Sequence, residues 1–194
     1  MKNQKLNSTQ NIQIVEQVQR FYTQRPYPRP IEELGRSPDN DNRRSDFHLH
    51  FPHKSYQEDL KILIAGCGTS QAAKYAFQNP LSKVVGIDFS KTSIAHTQKL
   101  KHKYKLTNLE THQLPIERVN ELGSHFDMIV CTGVLHHLPD PHAGLCSLKN
   151  VLEPDGSLHL MVYATYGRIG VYMLQEYAQR LGVGDTDQEI SDFA

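Results

Sequence analysis

The chain has 194 residues, 21 of them basic and 21 acidic, so its formal charge is zero. That length suits one α/β core with a short extension, and the charge balance excludes a whole-protein field that would draw it to nucleic acid or an acidic membrane. The opening MKNQKLNSTQ has no apolar h-region, and no apolar run reaches the roughly 18 residues that span a bilayer. Cys67, Cys131 and Cys146 are odd in number and widely spaced, which makes no disulfide framework and suits a reducing compartment. The reading is a cytoplasmic protein with no membrane partner.

Residues 9–24 place Ile12, Val15, Val18 and Phe21 or Tyr22 at helical spacing, which predicts an amphipathic helix. It must stop at RPYPRP, because Pro26, Pro28 and Pro30 cannot continue a helix and push the residue before each into an extended state. From there to about Lys54 the chain is polar and turn-rich, notably SPDNDNRRSD, and reads as a surface loop. From Leu60 the pattern changes to short apolar runs alternating with helical stretches, the mark of βαβ units and a mostly parallel sheet. Strands are expected near 61–65, 83–88, 109–112, 126–131 and 157–163, and helices near 69–78, 90–104, 116–122, 141–152 and 168–181. The organisation is an N-terminal extension over 1–57, a core over 58–165 and a C-terminal helix with an acidic end over 166–194.

The first strand runs into Gly66-Cys67-Gly68-Thr69-Ser70, and a helix follows at once. Glycines there let the chain turn sharply out of the sheet and let a ligand approach the backbone. About twenty residues on, the second strand ends in Asp88 of VVGIDFS, where a carboxylate can accept from both hydroxyls of a bound ribose. A Gly-x-Gly turn alone is also an ordinary structural turn, and a single Asp there is also a cap for the helix beginning near Ser90. Together they name an adenosine-type ligand. In the dinucleotide fingerprint a third glycine allows close helix packing while the helix N-terminus faces a pyrophosphate, but that position is Gln71, and the chain has no Gly-x-x-x-x-Gly-Lys-Ser/Thr loop. A nicotinamide-dependent oxidoreductase is therefore the weaker reading.

Past the fourth strand stand His136 and His137, at the strand end where open α/β sheets hold ligands. Either can serve as a general base for a hydroxyl acceptor, with His136 the candidate catalytic residue. The alternative is a histidine that only packs or hydrogen-bonds the loop. His48, His50 and His53 in HLHFPH lack a Cys or acidic partner at ligand spacing, so no metal is expected. The run KLKHKYK at 99–105 reads as the solvated face and C-terminal end of a helix, and no nucleic acid is indicated.

With these residues assembled, the chain resembles the class I S-adenosylmethionine-dependent methyltransferases over roughly residues 58–165. The motifs are ILIAGCGTSQ, VVGIDFS and FDMIVCTGVLHHLPDP followed by VLEPDGSLHL, and FYTQRPYPRP is similar to a phrase ahead of the core in some bacterial members. The resemblance implies a Rossmann-like, mostly parallel sheet and S-adenosylmethionine as cofactor. It implies that Gly66, Cys67 and Gly68 approach the cofactor, that Asp88 holds its ribose, that Phe89 packs near the adenine and that Thr132 borders the methionine part. Leu114 or backbone beside it is the reading for the adenine amino group. One departure is Ile64, which stands where the family usually carries Asp or Glu.

The expected function is methyl transfer to an unidentified acceptor, small molecule or protein, with a catalytically idle cofactor-binding module as the alternative. The family's sheet has seven strands, yet after SLHLMVY about thirty residues remain, and YGRIGVYMLQEYAQRL reads as helix. The expectation is a chain cut after its fifth strand, with that strand as an exposed sheet edge.

Overall fold

A computed structural model describes residues 18, 19, 21–23, 25–35, 47–184 and 186–193. The chain divides into two compact units, Met1–Met161 and Val162–Ala194. In the first, five strands form one sheet: β1 (Lys61–Ala65), β2 (Lys83–Asp88), β3 (Leu109–Gln113), β4 (Phe126–Thr132) and β5 (Leu152–Met161). Their order is β3-β2-β1-β4-β5, and every pairing is parallel.

Parallel strands need crossovers, and the connecting segments supply α1 (Gln71–Gln78), α2 (Lys91–Tyr104), a 3-10 turn (Ile116–Leu122) and α3 (Pro141–Asn150). Side chains alternate across each strand. Ile62, Ile64, Val84, Met128 and Val130 therefore form one core with Ala72, Ala73 and Ala76 of α1 and Ile94 and Leu100 of α2. Leu63, Ala65, Ile87, Ile129 and Cys131 form the other with Val119 and with Leu148 of α3. Burial on both faces explains why the central strands read as unbroken apolar runs. At Gly86 a Cβ would lie 2.6 Å from the Cβ of Ala72, so the glycine lets the alanine face of α1 lie close on β2.

Local chemistry sets the helix starts. Ser90 caps α2 by accepting from Ser93 N–H at 3.3 Å, and Asp140 caps α3 by accepting from Ala143 N–H at 3.0 Å, with Pro141 in the first turn. Lys105 closes α2 in the left-handed region at φ 52°, with Lys101, His102 and Lys103 in the last turn beside the negative end of the helix dipole.

Several expectations need correction. The stretch read as surface loop up to Lys54 is not all loop: residues 47–50 are helical, so Phe47 and Phe51 fall one turn apart and both are buried in the core. The His50 ring lies against the His159 ring, with centroids 5.2 Å apart. The 116–122 segment is a 3-10 turn rather than an α-helix. The last strand begins at Leu152, not 157, because the register slips between Phe126 and Met128 and takes in extra residues around Gly156. The N-terminal helix is described only at residues 18, 19 and 21–23, and SPDNDNRRSD lies wholly outside the described residues.

β5 is the outer strand of the described sheet, and Leu160 and Met161 are exposed. The second unit holds a 3-10 turn (Tyr166–Arg168), α4 (Ile169–Arg180) and α5 (Asp187–Phe193). The expected helix is thus α4, shortened at its start by the 3-10 turn, and part of the acidic end is helical as well. Among the described residues no helix is long and apolar enough to cross a membrane.

Candidate functional site

The strand order reverses at β1, which pairs with β2 on one side and β4 on the other. Ligands of doubly wound sheets bind in the crevice outside the carboxyl ends at that switch point. The residues found there are those the sequence singled out. Gly66, Cys67 and Gly68 leave β1, Asp88 and Phe89 close β2, Leu114 follows β3, and Thr132 ends β4.

The turn out of β1 is built by backbone bonds. Gly66 N–H and Cys67 N–H both donate to Ile87 O at 2.9 Å. Gly66 (φ 72°) and Gly68 (φ 54°) occupy the left-handed region that side chains resist. Space closes the case: a Cβ at Gly66 would lie 2.4 Å from Val134 Cγ2, and one at Gly68 would lie 2.6 Å from Tyr27 O.

Asp88 holds this turn to the next helix. Its Oδ2 accepts from Gly68 N–H and its Oδ1 from Ser90 N–H, both at 2.8 Å. Two oxygens offer about four lone-pair sites, so each keeps capacity for a ligand hydroxyl. Burial pushes the Asp88 carboxyl above the ordinary carboxylate range, while the N–H groups of Ser90 and Gly68 pull it back. Burial, then the charge of Asp88, pushes the Cys67 thiol up, and burial raises Cys131 to about 12, so neither is a nucleophile at neutral pH.

Thr132 Oγ1 accepts from Gln71 Nε2 at 3.0 Å, which ties the end of β4 to the start of α1. The residue at the third-glycine position of the dinucleotide pattern is thus a bridge across the crevice. Leu114 N–H donates to Asp88 O at 3.0 Å, which joins the segment after β3 to the end of β2. Ile64 is fully buried within β1, and no carboxylate takes the place that the family usually gives to one. After β4, a 3-10 turn (Leu135–His137) sets the His136 and His137 rings 4.2 Å apart.

Residues 18–35 supply partners that spacing alone did not assign. Gln19 Nε2 and Gln113 Nε2 each donate to Phe89 O at 3.2 Å. Tyr22 lies edge-on to Phe89 (6.3 Å) and to His137 (5.9 Å), and its hydroxyl is 3.2 Å from His137 Nε2. Thr69 Oγ1 donates to Pro28 O at 2.8 Å. The motif FYTQRPYPRP was the available signal, since it pointed to this segment without saying which side chains face the crevice.

A Gly-x-Gly turn at a switch point with a carboxylate closing the next strand defines a Rossmann-like domain that holds a nucleoside-bearing cofactor. The residues fit S-adenosylmethionine: the carboxylate suits its ribose, and a crevice without the third glycine suits a cofactor that lacks phosphates. The sequence matches the family described as a methyltransferase domain over residues 63–158. It is similar to an uncharacterized protein of Synechococcus, 40% identical over 118 residues, covering 60% of this chain and 28% of that one. It is also similar to a tRNA U34 carboxymethyltransferase of Saccharophagus degradans, 32% identical over 127 residues, covering 64% of this chain and 39% of that one. The plantazolicin methyltransferase BpumL, solved in complex with SAH, shares the fold with a TM-score of 0.55 at 19% identity, over 75% of this chain and 50% of that one. This chain therefore spans well under half the length of those two curated relatives. Residues 63–158 form a methyltransferase domain of the class I S-adenosylmethionine-dependent family, whose cofactor is S-adenosylmethionine. The expectation that nucleic acid is no partner does not stand as an exclusion, because one relative is named for tRNA.

Proposed function

We propose that this chain transfers the methyl group of S-adenosylmethionine to a hydroxyl-bearing acceptor seated over the turn that follows β4. The observation that carries this reading is the convergence at the carboxyl ends of β2 and β4 of Asp88, Phe89, Thr132 and His137, with Tyr22 touching both Phe89 and His137. When bound, the cofactor supplies an electrophilic methyl on a sulfonium. Asp88 and the Gly66–Gly68 turn hold the ribose end, Phe89 borders the adenine, and Thr132 borders the methionine part. A base beside the acceptor removes its proton as the new bond forms, and holding the acceptor in line while excluding water supplies most of the acceleration. His136 was the candidate base, but both of its ring nitrogens are shielded from solvent. His137, with Nε2 beside the Tyr22 hydroxyl, takes that role in this reading.

The acceptor is a small molecule or an RNA. The free thiols of Cys67, Cys131 and Cys146 support placing the protein in the cytoplasm. Incubating the protein with methyl-labelled cofactor and separate metabolite and RNA fractions tests the activity. Label in one fraction, with matching S-adenosylhomocysteine, is the expected result. Cofactor binding without turnover in any fraction favours the idle-module alternative, and preferential binding of NAD overturns the reading.

A further inference from the structure

We infer that Tyr22 is a positioning residue for His137: its phenol donates to Nε2, holds the neutral ring with its proton on Nδ1, and occupies the place that a hydroxyl acceptor takes over. This rests on the methyl-transfer reading above. The contact is 3.2 Å between the Tyr22 hydroxyl and His137 Nε2, across 115 positions of sequence. A phenol is a good donor and a weak acceptor, because its oxygen lone pair is delocalised into the ring, whereas an unprotonated imidazole nitrogen is a strong acceptor. The pair therefore settles with the proton on oxygen and the lone pair on Nε2. A ring in that state is ready to take a proton from whatever replaces the phenol.

The surroundings keep Tyr22 there. Its ring meets Phe89 at 6.3 Å and 76°, and His137 at 5.9 Å and 70°, so it spans the adenine side and the acceptor side of the crevice. Gln19, one turn earlier, donates to Phe89 O at 3.2 Å, and Thr23 Oγ1 donates back to Gln19 O at 2.7 Å. The adjacent His136 ring packs against His137 at 4.2 Å with 52° between planes, which limits rotation of His137. When an acceptor hydroxyl displaces the phenol, its proton passes to His137 Nε2 and its oxygen forms the bond to the methyl carbon. The carbon–sulfur bond breaks with its electron pair left on sulfur, and the imidazolium later releases the proton to solvent.

The test is the ring nitrogen spectrum of His137 in the full chain carrying ¹⁵N-labelled histidine, assigned with His137→Gln. In the native protein Nε2 should give the signal of an unprotonated nitrogen and Nδ1 that of a protonated one. Tyr22→Phe keeps the ring and its Phe89 contact, and should move His137 toward the Nε2-protonated form. Thr23→Ala, a hydroxyl lost from the same turn, should leave the spectrum as it is. A protonated Nε2 in the neutral native ring overturns the proposal without need of any variant, as does an unchanged spectrum in Tyr22→Phe. Calorimetry with S-adenosylhomocysteine completes the test. Affinity within about threefold of native in Tyr22→Phe is expected, and a loss beyond tenfold would assign Tyr22 to the cofactor instead. If the native chain binds no S-adenosylhomocysteine, the methyl-transfer reading fails, while the state of the His137 ring is still read directly.

Discussion

Asp88→Ala is the most informative single change, because the carboxylate serves the fold and the cofactor at once. The substitution leaves Gly68 N–H and Ser90 N–H without their acceptor in a buried setting. Each such loss costs about 1–3 kcal/mol. Relief of the buried charge offsets part of the sum, so a net destabilisation of about 2–4 kcal/mol is expected. Dividing by a urea dependence of about 1–3 kcal/mol per molar lowers the urea midpoint by about 0.7–4 M, followed by circular dichroism. Two charge-assisted bonds to a ribose are worth a similar amount after non-additivity, so calorimetry should show S-adenosylmethionine binding weakened by about 30- to 1,000-fold. An unchanged urea midpoint would refute the bracing role, and unchanged affinity in a folded variant would refute the cofactor assignment.

Other outcomes follow from the same geometry. Because burial raises the Asp88 carboxyl, the folded chain holds that proton at pH values where the unfolded chain has released it. Its contribution to stability is then full below the ordinary carboxylate value of 3.8 and falls as pH rises through the raised value, so the gap in urea midpoint between native and Asp88→Ala should narrow from acid toward neutral pH. Gly66→Ala must accept φ 72° and a Cβ 2.4 Å from Val134 Cγ2, and should lose about 1–3 kcal/mol, with part of it recovered in the double variant with Val134→Ala. Cys146 is exposed while Cys67 and Cys131 are buried with raised pKa values, so iodoacetamide should label one thiol in the native protein and three in urea, counted by mass spectrometry.

What the sequence disclosed and what it withheld divide along a physical line. β1, β2 and β4 were legible because central strands are buried on both faces and leave unbroken apolar runs. Gly66, Gly68 and Asp88 carried their own constraint, since backbone conformation and a strand-end acid both show in local sequence. The start of β5 did not, because a register slip opposite Phe126 depends on the neighbouring strand. Phe47 and Phe51 were lost in a polar stretch, where two aromatics four residues apart reveal a buried face only once the sheet is there to receive them. Tyr22 and Gln19 were invisible as site residues because their partners lie 115 and 70 positions away.

The way residues 25–35 attach to the core has a consequence for how this segment tolerates change. The carbonyls of Pro28, Ile31 and Glu32 accept from Thr69, His96 and Lys103, the amide of Leu34 donates to Tyr104, and the carbonyl of Tyr27 fills the space beside Gly68. Main-chain atoms make all five contacts, and every residue type offers a carbonyl. Variation at Glu32 therefore keeps the bonding pattern, whereas adding or removing one residue between Tyr27 and Leu34 shifts the partners beyond it out of register. Across variants of this protein, the number of residues in that stretch should be held tightly, and their identities chiefly at Ile31 and Leu34, whose side chains pack on the core.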